Sequence, residues 1–86
     1  MTSRSLYNKE YGATAEYLTK LLGYSQGKYL ASSSGVEACE SAVKLSRKWG
    51  YKVKGVPENQ ANILMFNNCF WGRSVTAISG SNDPLR

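Results

Sequence analysis

Two short stretches of this sequence carry residues whose types and spacing suit the binding of a phosphorylated ligand. The first, Ser34-Gly35-Val36, stands where an apolar helical pattern begins. The first amides of a helix are unpaired donors at the positive end of the helix dipole, and they form a site for an anion, most often a phosphate. Gly35 would let a ligand approach the backbone closely, and a serine hydroxyl could add a donor.

A purely structural role for the same stretch stays open at this point. Ser33 or Ser34 could be an ordinary N-cap, and with Ser34 as the cap Glu37 would complete a capping box. Many helices begin in this way for stability alone, so the local pattern does not decide between a cap and a phosphate site.

The second stretch is Phe70-Trp71-Gly72-Arg73, which places two aromatic rings and a guanidinium close together. A flat ring ligand could stack on one aromatic side chain, and a carboxylate could pair with the arginine. The alternative is that both aromatics belong to the core and that Arg73 is solvated.

The elements that must position these residues follow from the hydrophobic pattern. Apolar residues recur at helical spacing from Tyr7 to Leu22, where Gly23 stops the pattern, and again from Val36 to about Trp49. Two short runs, Lys28 to Ser32 and Ile63 to Phe66, have the length and composition of buried strands, and the second is apolar without alternation.

Strand, helix and strand in this order predict an α/β fold built on a βαβ unit. Its crossover should be right-handed, and its ligand site should lie beyond the carboxyl ends of the strands. Both candidate stretches follow a predicted strand, so the topology places them at the same edge of a parallel sheet.

Length and composition limit the other possibilities. A chain of 86 residues makes at most one small domain with a marginal core. It has no histidine, and Cys39 and Cys69 have no CxxC partner, so neither a zinc site nor a disulfide framework is expected. The net charge of +5 comes from scattered basic residues, so no nucleic-acid partner is expected, and a small basic nucleic-acid binder is only a third, weaker hypothesis. No segment resembles a signal peptide or a membrane span.

The sequence as a whole resembles the ornithine aminotransferases, a branch of the class III pyridoxal-phosphate-dependent aminotransferases. The similarity runs ungapped along the chain, and Arg-Lys-Trp-Gly-Tyr, Val-Lys-Gly and Phe-Trp-Gly-Arg point to the ornithine branch. The residues that carry it are Thr2-Ser3-Arg4, Ser34-Gly35-Val36-Glu37-Ala38, Lys44-Leu45, Arg47-Lys48-Trp49-Gly50-Tyr51, Val53-Lys54-Gly55, Phe70-Trp71-Gly72-Arg73 and Ala77-Ile78-Ser79.

The resemblance implies that residues 1–86 are part of the large, cofactor-binding domain of a fold-type I enzyme, a homodimer with a mostly parallel sheet covered by helices. The implied reaction moves the δ-amino group of ornithine to 2-oxoglutarate and yields glutamate semialdehyde and glutamate. By position, Ser34, Gly35 and Val36 would hold the phosphate of pyridoxal 5′-phosphate, Phe70 would stack on its ring, and Arg73 would bind a substrate carboxylate.

The sequence departs from the family pattern at a few positions and lacks the motif of one catalytic residue. Relatives more often carry asparagine, glycine and asparagine where this chain has Ser33, Asn68 and Cys69, and a smaller residue than Cys39. None of the seven lysines lies in the motif of the lysine that anchors the cofactor, so this chain should supply no catalytic residue and should not transaminate by itself.

The resemblance leads to two hypotheses about the chain as a whole. We expect a portion of a full-length aminotransferase of the cytoplasm or the mitochondrial matrix. A non-catalytic fragment that binds or regulates a full-length subunit through an exposed sheet edge is the alternative.

Overall fold

The computed structural model describes residues 8–82, which form three helices distributed over two compact units. The first unit extends to Ala31, and the second begins at Ser32. The expected helix start at Tyr7 and the stretch Thr2-Ser3-Arg4 lie outside the described residues. Within residues 8–82, no helix is long and apolar enough to cross a bilayer, and no cluster of His, Cys, Asp or Glu could hold a metal ion.

Helix α1, Lys9–Leu21, is the main element of the first unit and is capped at both ends by residues next to it in the sequence. The Asn8 side chain caps its start by accepting a hydrogen bond from the Glu10 amide at 2.9 Å. At its end Gly23 adopts a positive φ of 71°, and the Tyr24 amide donates to the Thr19 carbonyl at 2.9 Å. This is a Schellman motif, so the predicted glycine stop is confirmed.

The run from Lys28 to Ser32, predicted as a strand, is neither helix nor strand in the structure. The Tyr11 side chain of α1 instead contacts two backbone groups of this run. The Tyr11 hydroxyl accepts from the Ala31 amide at 3.2 Å and lies 3.5 Å from the Tyr29 carbonyl, while the Tyr11 and Tyr29 rings are 5.4 Å apart. One side chain therefore pairs with two of the backbone groups that a neighbouring strand would otherwise bind.

Helix α2, Gly35–Lys52, is the longest of the described elements and belongs to the second unit. Its cap, Ser34, has extended backbone angles, as an N-cap requires. The helix continues past the predicted end at Trp49, whose carbonyl accepts the amides of Val53 at 2.9 Å and Lys54 at 3.1 Å. Gly55, with a φ of 77°, then turns the chain away.

The second predicted strand, Ile63 to Phe66, also lacks strand pairing among the described residues. Its side chains nevertheless alternate as those of a strand do. Ile63 and Met65 are each 37% exposed, whereas Leu64 is 96% and Phe66 90% exposed. Because no neighbouring strand pairs with it in residues 8–82, the run has the alternation of a strand without its hydrogen bonds.

Helix α3, Val75–Ser79, was not predicted from the sequence and packs against α2. Ser74 caps it by accepting the Ala77 amide at 3.3 Å, and Gly80 follows its end. Ala77 is fully buried, whereas no large side chain among the described residues is fully buried. The centre of the second unit is thus small residues in close contact rather than an apolar core.

These exposures predict that the chain by itself is weakly stable and self-associates. A folded state that buries so few apolar side chains gains little hydrophobic free energy, and exposed Leu64 and Phe66 offer an apolar edge to another molecule. We expect concentration-dependent association in sedimentation velocity and a broad thermal transition.

A charge on the exposed edge tests this prediction. Leu64→Asp should reduce association, because the aspartate would have to be desolvated at the contact. Gln60→Asp, at an exposed polar position nearby, adds the same charge and should leave association unchanged. A wild-type chain that stays monomeric at all concentrations and melts cooperatively would contradict the prediction.

Candidate functional site

The start of α2 presents two backbone donors that the described chain does not use. In residues 8–82, the amide of Glu37 donates to Ser34 Oγ at 3.3 Å and the amide of Ala38 to the Ser34 carbonyl at 3.1 Å. The amides of Gly35 and Val36 have no such acceptor there. A Cβ added at Gly35 would meet nothing within 4 Å among the described residues, and Gly35 itself is exposed.

The hydroxyl of Ser34 is committed to the helix cap. It accepts the Glu37 amide and donates to Glu37 Oε2 at 3.2 Å, so its one hydrogen is used. The capping role left open by the sequence is therefore present. Of the three residues expected at the phosphate, Gly35 and Val36 offer free donors, whereas Ser34 positions them by starting the helix.

Gly72 brings the second candidate stretch directly against this helix start. Its φ is 153°, and a Cβ at this position would overlap Val36 Cγ2, lie 3.0 Å from Val36 Cβ and 3.4 Å from Ala77 Cβ. Only a glycine allows the backbone to approach so closely and to adopt this φ. The backbone between Phe70 and Arg73 is thus in contact with Val36, the residue whose amide is free.

The first and last side chains of this stretch, Phe70 and Arg73, are open to solvent rather than part of a core. Phe70 is 57% exposed, and the Cζ of Arg73 lies over its ring, 5.3 Å from the centroid. Such a distance is within the range of a cation–π interaction. The alternative in which Phe70 belongs to the core is wrong for the described chain, and Arg73, although exposed, rests on an aromatic face.

Trp71 differs from its neighbours because its polar atom is enclosed. The indole Nε1 is buried and has no hydrogen-bond partner among the described residues. A buried N–H without an acceptor costs about 1–3 kcal/mol. Within residues 8–82, the buried indole N–H of Trp71 therefore lacks the hydrogen-bond acceptor that it requires.

The loop before Phe70 is fastened by side chains near the end of α3. Asn68 has a left-handed φ of 59°, and its amide donates to Asn82 Oδ1 at 2.7 Å. The Cys69 thiol lies 3.3 Å from the Gly80 carbonyl, and the Ser81 hydroxyl donates to the Cys69 carbonyl at 3.0 Å. These bonds hold the loop that carries Phe70.

The departures from the family pattern fit this geometry. Asparagine is among the few non-glycine residues that tolerate a left-handed φ, so Asn68 suits the φ of 59° at this position. Ser33 and Cys39 are exposed, so neither substitution disturbs packing among the described residues.

A separate groove lies toward the other end of α2. It has a volume of about 710 Å³, and its lining includes Leu45, Trp49, Lys54 and Ile63. Trp49 is about 20 Å along the helix axis from Gly35 at 1.5 Å per residue. The groove is therefore distinct from the two free amides and from Phe70.

The second unit carries three kinds of group that a ligand could contact. Two backbone amides suit a phosphate, an exposed aromatic side chain suits a planar ring, and a guanidinium suits a carboxylate. The contact of Gly72 with Val36 links the stretch that carries the ring and the guanidinium to the helix that carries the amides.

The comparison with known families agrees with this description. Residues 1–85 match the family Aminotransferase class-III, so the chain belongs to the class III aminotransferases, which depend on pyridoxal phosphate. Within that family its relatives are ornithine aminotransferases. The chain is 55% identical over 84 residues to a probable mitochondrial ornithine aminotransferase of Caenorhabditis elegans and 48% identical over 84 residues to the mitochondrial ornithine aminotransferase of Rattus norvegicus.

Structural similarity points to the same enzymes. The chain superimposes with a TM-score of 0.81 and 38% identity on the ornithine aminotransferase of Toxoplasma gondii, whose structure shows partial PLP occupancy at its active site. The match covers 95% of this chain and 19% of that one. The alignments with the Caenorhabditis elegans and Rattus norvegicus relatives each cover 98% of this chain. They cover only 19% of the length of each relative.

The contact between Gly72 and Val36 predicts the effect of adding one methyl group. Gly72→Ala should separate the Phe70–Arg73 stretch from α2 and loosen α3, because the new Cβ overlaps Val36 and the φ is unfavourable for alanine. Amide hydrogen exchange at Ala77 and Ile78 should become faster by about tenfold or more, as expected from a local loss of about 1–3 kcal/mol.

Gly12→Ala is the matched control, since a Cβ at Gly12 meets nothing within 4 Å and the residue lies inside α1. Alanine there should leave exchange in α3 unchanged and slow exchange in α1. Unchanged exchange of α3 amides in Gly72→Ala would show that the close contact is unimportant.

Proposed function

We propose that residues 1–86 form part of the cofactor-binding domain of an ornithine aminotransferase. The enzyme would transfer the δ-amino group of ornithine to 2-oxoglutarate, giving glutamate semialdehyde and glutamate. The observation that supports this proposal is the contact of Gly72 with Val36, which joins the stretch that carries the exposed ring of Phe70 to the start of α2. The similarity to ornithine aminotransferases supports the choice of substrate.

The residues present fit pyridoxal 5′-phosphate. The amides of Gly35 and Val36 would donate to its phosphate, at the end of an 18-residue helix whose dipole favours negative charge. The exposed face of Phe70 would lie against its pyridine ring. When bound, this cofactor supplies the electron sink for amino-group transfer, and the protein supplies binding and orientation.

Arg73 would bind a carboxylate of the substrate. Its guanidinium is exposed and rests on Phe70, within reach of a molecule that approaches the ring. A guanidinium binds a carboxylate through two parallel hydrogen bonds, which fix direction as well as distance. Arg73 would therefore orient the substrate relative to the ring.

The described residues bind and orient rather than react. None of the seven lysines lies in the motif of the lysine that anchors the cofactor, so the 86-residue chain alone would not transaminate. In a full-length protein we expect a homodimer. The mitochondrial matrix is supported by the relatives described as mitochondrial, with the cytoplasm as the other compartment considered.

Removal of one amide tests the phosphate site without disturbing the helix. Gly35 is the first residue of α2, where proline is well tolerated, and the extended backbone of Ser34 suits a residue that precedes proline. Gly35→Pro deletes one donor to the phosphate. Binding of pyridoxine 5′-phosphate, which cannot form an imine with lysines, should weaken by about tenfold or more, as expected for a hydrogen bond to a charged group.

Lys9→Pro is the matched control, because it makes the same change at the first residue of α1, after the extended backbone of Asn8. It should leave binding unchanged in isothermal titration calorimetry. Pyridoxine without the phosphate should bind wild type and Gly35→Pro equally. If the wild-type chain does not prefer pyridoxine 5′-phosphate to pyridoxine, the proposed function is wrong.

A further inference from the structure

Phe70 has two faces, and the structure places a cation over one of them. The Cζ of Arg73 lies 5.3 Å from the ring centroid, while 57% of Phe70 stays exposed. The ring therefore contacts the guanidinium while more than half of the residue stays accessible. No charge is neutralised in this contact, because the ring attracts the cation through its quadrupole.

Among residues 8–82, no carboxylate forms an ion pair with Arg73. The ion pairs among residues 8–82 join Lys9 to Glu10 and Lys20 to Glu16, both in the first unit. Within the described chain, the Arg73 guanidinium contacts the ring of Phe70. The aromatic face is thus what orients the guanidinium.

The backbone on which both side chains stand is itself constrained. Gly72, between them, is wedged against Val36 and Ala77. Arg73 immediately precedes Ser74, the cap of α3, and Phe70 follows Cys69, whose carbonyl is held by Ser81. Because these contacts hold the backbone on both sides, the remaining freedom is that of the two side chains. The contact between the Phe70 ring and the Arg73 guanidinium limits that freedom.

We propose that Phe70 is a positioning residue for Arg73 as well as the stacking surface for the cofactor ring. The inference rests on the proposed function, in which Arg73 binds a substrate carboxylate. A guanidinium lying over a ring keeps its N–H groups at its edge, free to donate to a carboxylate. Holding it there removes part of the rotamer entropy that a free arginine side chain loses on binding.

Loss of the aromatic ring should therefore weaken carboxylate binding even without a cofactor. A cation–π contact at an exposed site corresponds to a two- to fivefold change in affinity, by a rough estimate. Phe70→Leu keeps an apolar side chain and removes the ring. Phe70→Tyr keeps the ring, and Phe66→Leu removes a ring from a position that is 90% exposed and outside the proposed site.

The first measurement detects the contact itself in the full chain without ligand. Protons of the Arg73 side chain that lie over a ring face are shifted upfield in an NMR spectrum. We expect this shift in wild type, Phe70→Tyr and Phe66→Leu, and its loss in Phe70→Leu. Arg73 protons at their random-coil positions in the wild-type chain would overturn the inference.

The second measurement follows the Arg73 resonances during titration with 2-oxoglutarate. Affinity should fall about two- to fivefold in Phe70→Leu and stay within twofold of wild type in Phe70→Tyr and Phe66→Leu. Equal affinity in Phe70→Leu and wild type would overturn the positioning role alone. If 2-oxoglutarate leaves the wild-type Arg73 resonances unmoved, the proposed carboxylate role of Arg73 fails, and the inference fails with it.

Discussion

The close approach of the Gly72 backbone to Val36 is the constraint on which the rest of the second unit depends. A side chain at this position would overlap Val36, and the φ of 153° is one that other residues rarely adopt. Because Ala77 lies against the same glycine, the contact joins the start of α2, the Phe70–Arg73 stretch and α3. The stretch that carries Phe70 is thus held next to the start of α2 by the close approach of its backbone.

The same packing leaves much of the molecule uncovered. Leu64 and Phe66 are almost fully exposed, and the indole N–H of Trp71 is buried without an acceptor in the described chain. Both features are costly for a free chain and are removed when further layers of protein supply apolar cover and an acceptor. The match to about a fifth of the length of each ornithine aminotransferase relative is consistent with such layers.

Features that depend on neighbouring residues were predictable from the sequence, and features that depend on distant ones were not. The caps are local: Ser34 begins α2 and Gly23 ends α1 as expected. Helix α3 was missed, although Ser74 and Gly80 mark its ends. The strand predictions failed in residues 8–82 because a strand requires a partner that periodicity cannot supply. The contact of Gly72 with Val36 joins positions far apart in the sequence, so spacing alone could not predict it.

The central claim is that the start of α2 and the ring of Phe70 receive one phosphorylated ring together. Its most direct test is an amide NMR titration of the chain with pyridoxine 5′-phosphate, in which the backbone and aromatic signals are followed at once. The account predicts that the amide protons of Gly35 and Val36 move downfield while the Phe70 ring protons move upfield with the same dissociation constant. Shifts confined to lysine-rich segments, with Gly35, Val36 and Phe70 unmoved, would contradict it.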